Sequence, residues 1–298
     1  MDDNRNCSFE EALDRRGILI LDGAVGTMLM DGGASGCERL NVSLPDVVAC
    51  LHRQYVAAGA DIITTNTTCA NSMMCHDGMA ALLARRGAEI AVGAARECSA
   101  RRVWVAGSMG GMWVSLTKYP ERTAEAEAAF REQAEALMQG GVDLLLVETC
   151  FDVQNALAAM RAISGAEVAL GRSVPVVVSG TVADAGGRLA SGDTLEQLYE
   201  AVSEVGKVAA FGLNCSFGVE SGLDGLVARL SDGIDVPLVL YPSAGLPDSG
   251  GRYATTADRF AEAVSSVVLR HGVKVAGGCC GTTPECTRRM AVRLKAHG

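Results

Sequence analysis

The chain has 298 residues, 49% of them hydrophobic and 20% charged, with a formal net charge of −9. That length supports one large core or two modest ones. The acidic balance argues against nucleic-acid or anionic-membrane partners, and 4% aromatic residues leave no stacking platform for bases. No run of about 18 apolar residues marks a membrane span. The polar start Met1-Asp-Asp-Asn-Arg-Asn lacks the apolar centre of a signal sequence, so the expected compartment is the cytoplasm.

Strand and helix signals alternate along the chain. Residues 18–21 form an apolar strand that ends in Asp22-Gly23. A helix over 45–58 has Pro45 at its first position, with Ser43 near the cap. Strand 61–64 and helix 79–98 follow, then strand 103–106 and an Ala/Glu-rich helix over 124–139 that Gly140-Gly141 stops. Strand 143–147 precedes a helix over 153–163. Strand 174–178 precedes a helix over 194–205, for which Asp193 is the expected cap. Strand 209–213, helix 223–230, strand 237–240, helix 257–270, strand 273–276 and helix 284–295 complete the series.

Eight strand–helix units in this length predict an α/β fold, a (β/α)₈ TIM barrel formed by a single domain over 1–298. Short strands that are nearly all apolar suit a parallel sheet covered on both faces. An open doubly wound sheet would want Gly-x-Gly-x-x-Gly after the first strand, and Asp22-Gly-Ala-Val-Gly26 lacks it. The irregular stretches 110–123, 183–193 and 243–255 each follow a strand, so they are expected over the mouth of the barrel.

Eleven cysteines in a large chain without a signal sequence read as reduced thiols, a few of them metal ligands. Cys215 closes the sixth strand in Phe211-Gly-Leu-Asn-Cys-Ser, and Cys279-Cys280 follow the eighth in Gly277-Gly-Cys-Cys-Gly-Thr-Thr-Pro. Three thiolates around Zn²⁺ leave a tetrahedral position open for a further thiol. Gly277, Gly278 and Gly281 permit the sharp bend that two adjacent ligands need. The alternatives are three small buried hydrophobes or a redox-active vicinal pair. A closed zinc site would need a fourth ligand, and His52, His76 and His271 show no ligand spacing.

Two carboxylates also end strands, Asp22 on the first and Glu148 on the fourth. A carboxylate placed there is costly unless it is paired or binds something. Together they could hold the α-amino group of an amino acid, with the N–H groups of Gly23, Ala24 and Val25 for its carboxylate. The bland alternative makes Asp22 a turn cap and gives Glu148 an arginine partner. The polar tips Thr64-Thr-Asn66-Thr, Ser179-Gly-Thr and Asn214 could orient substrate, support the sulfurs or only close local turns. Ser108-Met-Gly-Gly111 reads as a ligand loop or a tight turn.

Taken together, these motifs resemble the homocysteine S-methyltransferase family. The resemblance spans about residues 18–290 and is carried by Leu21-Asp-Gly-Ala-Val-Gly-Thr, Gly59-Ala-Asp-Ile-Ile-Thr-Thr-Asn66-Thr, Val147-Glu-Thr, Gly212-Leu-Asn-Cys215 and Gly277-Gly-Cys-Cys-Gly-Thr-Thr-Pro284. It implies a zinc-containing (β/α)₈ barrel that methylates the thiol of homocysteine to give methionine. In it Cys215, Cys279 and Cys280 match the zinc ligands. Asp22 and Glu148 match the amino-group site, and the turn at Gly23 and Ala24 matches the carboxylate site. Asn66 belongs to the same substrate-side motif. Residues 179–192 and Tyr241-Pro-Ser-Ala-Gly-Leu-Pro247 look most similar to the cobalamin-dependent branch. That similarity implies a methylcorrinoid donor, expected on a separate corrinoid protein unless the chain is an excised domain of a longer one. Sulfonium or ammonium donors, another small thiol as acceptor, and a non-catalytic zinc module for a corrinoid partner are the competing readings. The chain departs from the family pattern at Thr68-Cys69, often aromatic there, at Ser108-Met-Gly-Gly, often Gly-Pro, and in a short segment between Gly26 and Asn41.

Overall fold

Eight parallel strands make one sheet: β1 Leu19–Ile20, β2 Ile62–Thr64, β3 Trp104–Gly110, β4 Leu144–Cys150, β5 Val176–Gly180, β6 Ala210–Cys215, β7 Leu238–Pro242 and β8 Val275–Ala276. Their order is β1-β8-β7-β6-β5-β4-β3-β2. The computed structural model describes residues 7–15, 17–30, 36–110, 112–182, 186–216, 218–219 and 222–296. The polar start at 1–6, Gly111 of the third-strand loop, residues 31–35 and residues 183–185 lie outside the described residues.

The first and last strands in that order meet through the parallel bridge Leu21↔Ile62, which closes the barrel. Two aspartates extend this short seam. The Asp61 carboxylate accepts from the Ile20 N–H at 3.0 Å, and the Asp22 carboxylate accepts from the Thr64 N–H at 2.8 Å. The predicted TIM barrel is the observed fold.

Strand side chains alternate in direction, and the core divides accordingly. One buried cluster fills the barrel with Leu21, Ile62, Trp104, Leu144, Leu146, Val177, Val239 and Val275. A larger one lies between the strands and the surrounding helices and includes Ile63, Val105, Leu145, Val178, Phe211 and Leu240. Continuing the interior alternation upward reaches Thr64, Ser108, Glu148, Ser179, Asn214 and Tyr241. The barrel is therefore apolar below and polar at the carboxyl ends of its strands. Reading apolar runs alone stops β3 at residue 106 and β4 at 147. Both continue through polar residues to Gly110 and Cys150, because those residues find partners inside the barrel.

Other differences have local causes. The helix expected over 153–163 runs Val153–Leu170 through Gly165, a poor helix former, and ends at Gly171 with φ 59°. The cap expected at Asp193 belongs to Thr194, whose hydroxyl accepts from the Gln197 N–H in a reciprocal capping box. Ser43 does not cap helix Pro45–Ala57; its hydroxyl donates to the Arg39 carbonyl at 3.1 Å.

Helix Phe9–Asp14 has no counterpart among the expected elements. Ser8 and Glu11 cap it reciprocally, and Phe9, Ala12 and Leu13 join the cluster inside the barrel. Phe9 meets Trp104 edge-on, with ring centroids 6.3 Å apart. This helix plugs the amino-terminal end of the barrel, away from the polar tips. Phe9→Ala is expected to lower stability by about 3–5 kcal/mol, a typical cost for a buried phenylalanine. Metal content should stay unchanged, which denaturant unfolding with metal analysis would check.

Candidate active site at the carboxyl ends of the strands

Strands β6 and β8 deliver three sulfurs to one point. Cys215 Sγ lies 3.7 Å from Cys280 Sγ, and Cys279 Sγ lies 4.0 Å from Cys280 Sγ. All three lie within 4.8 Å of one another, and each residue is partly open to solvent. A disulfide needs about 2.05 Å between sulfurs, and all three cysteines are free. Ligands about 2.3 Å from a tetrahedral ion sit about 3.8 Å apart. The spacing of the trio thus suits a shared Zn²⁺ and does not suit a vicinal disulfide.

The local backbone is bent to achieve this. Cys215 and Ser216 have φ of 49° and 60°. Residues other than glycine pay about 1–3 kcal/mol for such conformations, which collect at functional sites. On the other arm, Gly281 has φ 77°, and a Cβ there would come within 2.1 Å of the Tyr253 ring. Backbone bonds from the end of β7 fix both arms. Ser243 N–H donates to the Cys215 carbonyl, Cys279 N–H to the Pro242 carbonyl and Ala244 N–H to the Cys280 carbonyl, at 2.8–2.9 Å. Hydrogen bonds from Cys215 and Cys279 push the Cys280 thiol well below the ordinary thiol range and so favour its thiolate form.

Both carboxylates sit beside this trio. Asp22 is 1% exposed and accepts from the Thr64 N–H and hydroxyl. Asp61, at the other end of the same seam, is neutralised by Lys295 at 2.9 Å and Arg101 at 3.6 Å. Among the described residues Asp22 has no such cation, and neither does Glu148. The arginine-paired alternative for Glu148 therefore does not describe this site. Burial raises the Asp22 carboxyl well above its ordinary range, and Glu148 adds to the effect. Burial also lifts Glu148 to about 7, against hydrogen bonds from Ser108 and Tyr241 that favour its charged form. A buried and a half-buried acid, neither with a counter-ion among the described residues, are suited to receive a cation.

The turn after Asp22 is partly spoken for. Ala24 N–H donates to Thr282 Oγ1 at 3.0 Å, so the predicted carboxylate site keeps only Gly23 and Val25 as donors with no protein acceptor among the described residues. Asn66 is 2% exposed and builds the loop. Its amide donates to the Cys37 carbonyl at 2.8 Å and to Asn41 Oδ1 at 3.0 Å, and its oxygen accepts from the Cys37 thiol. The histidines weighed as a fourth ligand do not join the trio. His52 is fully buried on its helix, with burial pushing it down to about 4, and His271 bonds Asp224 at 2.9 Å.

A homocysteine S-methyltransferase family model matches residues 19–294. The chain belongs to that family. As expected of a member of the homocysteine S-methyltransferase family, it is a methyltransferase with a barrel fold. It is similar to the homocysteine methyltransferase MmuM from Escherichia coli in its apo form, at 26% identity and TM-score 0.72 over 94% of this chain and 97% of that one. The oxidized form of MmuM gives 25% and 0.75 over 96% and 98%. Its metallated form, at 24% identity and TM-score 0.76, supports the shared fold. No helix among the described residues is long and apolar enough to cross a membrane.

Several site residues were not singled out in the sequence. Tyr241 reaches Ser179 with 2.5 Å between oxygens. Thr282 ties the loop after β8 to the turn after β1. Trp113, 66% exposed, stacks on Phe151 at 6.0 Å beside the tip of β4. Thr282 and Tyr241 lie in motifs quoted from the sequence; Trp113 and Phe151 had no signal, because only folding makes them neighbours.

The Glu148 shift carries a pH signature. Its pKa is raised in the folded state, so between about 4.5 and about 7 the native protein holds a proton that the unfolded chain releases. The stabilisation is complete below that window and is lost as pH rises through about 7, by at most about 3 kcal/mol. Unfolding measured at pH 5 and pH 8 should show the unaltered protein losing stability as pH rises, with a smaller loss in Glu148→Gln.

Proposed function

We propose that the protein transfers a methyl group to the thiol of homocysteine, giving methionine, at a Zn²⁺ site formed by Cys215, Cys279 and Cys280. The observation that carries the reading is the convergence of three sulfurs, at tetrahedral ligand spacing, beside the buried Asp22 and half-buried Glu148 carboxylates, which have no counter-ion among the described residues. When bound, Zn²⁺ would supply Lewis acidity that keeps an added thiol deprotonated near neutral pH, where a free thiol of pKa about 8.5 is mostly protonated.

The chain's own residues do the rest. Asp22 and Glu148 receive the α-ammonium group, and the N–H groups of Gly23 and Val25 receive the α-carboxylate. Holding both ends of the amino acid aims its side-chain sulfur at the trio and removes the entropy cost of alignment from the transfer step. A bound ammonium also keeps Glu148 ionised, because a nearby cation opposes the effect of burial. Thr64 and Ser108 hold the two carboxylates in place. No side chain needs to become methylated.

For the donor, we favour a methylcorrinoid on a separate protein, because residues 179–192 and 241–247 resemble the cobalamin-dependent branch. A sulfonium donor such as S-methylmethionine is the second reading, and the choice of donor in the assay separates the two. Zinc-loaded protein with homocysteine should form methionine from methylcobalamin. Methionine formed only from S-methylmethionine would replace the donor assignment, and methylation of other thiols but not homocysteine would replace the acceptor. Cys279→Ala and Cys280→Ala should each lose zinc and at least about 10²-fold in turnover together. Full turnover in a zinc-free variant would overturn the mechanism.

A further inference from the structure

We infer that Asn214 is a positioning residue that clamps the bulged tip of β4 and so fixes the Glu148 carboxylate relative to the sulfur trio. The inference rests on the reading of Glu148 as an acceptor of the homocysteine ammonium.

The tip of β4 keeps its ladder to β3 as far as Gly110↔Glu148, but on the β5 side the ladder is interrupted. Pairing with β5 runs through Val147↔Val178 and resumes only at Cys150↔Gly180, after a register shift that leaves Glu148 and Thr149 unpaired on that side. Thr149, a β-branched residue, has φ 58° there. Such a residue stays in the left-handed region only where its surroundings hold it.

Asn214 reaches past β5 to do so. Its Oδ1 accepts from the Thr149 N–H at 2.9 Å, and its Nδ2 donates to Thr149 Oγ1 at 2.8 Å. The amide thus binds the backbone and the side chain of the strained residue at once. Ser179 Oγ donates to the same Oδ1 at 2.9 Å, and Ser179 in turn meets the Tyr241 hydroxyl. Asn214 is fully buried and Thr149 half-buried, so removing the amide takes away the protein partner of both Thr149 groups. Ser108 and Tyr241 hold the Glu148 head group, whereas Asn214 holds the backbone one residue beyond it. It also directly precedes Cys215. One side chain therefore links the ammonium site to the strand that carries a sulfur of the trio. Cys215 itself does not need that amide, because its carbonyl is bound by the Ser243 N–H.

The test is titration of the zinc-loaded protein with homocysteine and with 4-mercaptobutanoate, which keeps the thiol and carboxylate but lacks the amino group. In Asn214→Ala, homocysteine affinity should fall by about tenfold or more, while 4-mercaptobutanoate changes by less than about twofold and zinc content is unchanged. Adding Thr149→Gly should restore most of the lost affinity, because glycine adopts positive φ without a clamp. A purely structural role would not give that rescue. Equal losses for both thiols, no loss, or no rescue in a folded double variant would overturn the clamp. Should Asn214→Ala fail to fold, Thr149→Val removes only the Oγ1 contact. It should then weaken homocysteine alone by about threefold, and an unchanged or equal effect on both thiols would overturn the inference. If the unaltered protein binds the two thiols equally, the reading of Glu148 fails at its root. A preference that survives intact in Asn214→Ala removes only the clamp.

Discussion

The site depends on bringing sulfurs from β6 and β8 together above the strand that separates them. Neighbouring strands lie about 4.8 Å apart, so second neighbours are about 10 Å apart. Sulfurs at 3.7 Å require both chains to turn inward over the end of β7. Cys215 does this through a left-handed backbone conformation, and the other arm does it through glycines. The cost is met by backbone bonds from Ser243, Ala244 and Cys279 that join both arms to β7. A pair of adjacent cysteines is thereby prevented from relaxing away from the third.

Electrostatics give the pocket its second half. An interior with apolar lower layers ends in a polar layer where Asp22 and Glu148 have hydrogen bonds but, among the described residues, no counter-ion. Asp61, at the opposite end of the β1–β2 seam, has the cations that Asp22 lacks. The same seam therefore uses one aspartate paired with cations and a second whose carboxylate is held by hydrogen bonds. Hydroxyl and amide side chains on β3, β5, β6 and β7 complete the polar layer, so the acids are held rather than free to move.

Much of this organisation is legible in the chain. Alternating apolar strands and amphipathic helices specify the barrel, because a parallel sheet must bury both faces. The glycine frame around Cys279 and Cys280, and the placement of Cys215 at a strand end, specify a thiol site. Strand ends were less legible, because the polar residues that continue β3 and β4 look like loop until their partners inside the barrel are known. The amino-terminal plug was missed because its capping box spans only six helical residues, too short to stand out by periodicity.

The sequence by itself determined the fold class, the sulfur trio and the two acids, because each is written in local pattern and residue type. Tertiary structure alone decided that Asp22 lacks a cation among the described residues while Asp61 has two, that Ala24 is already bound by Thr282, that Asn66 builds a loop, and that Asn214 grips Thr149. These are relations between residues tens to hundreds of positions apart. Spacing along the chain carries no distance across a barrel until its closure fixes which strand tips face one another.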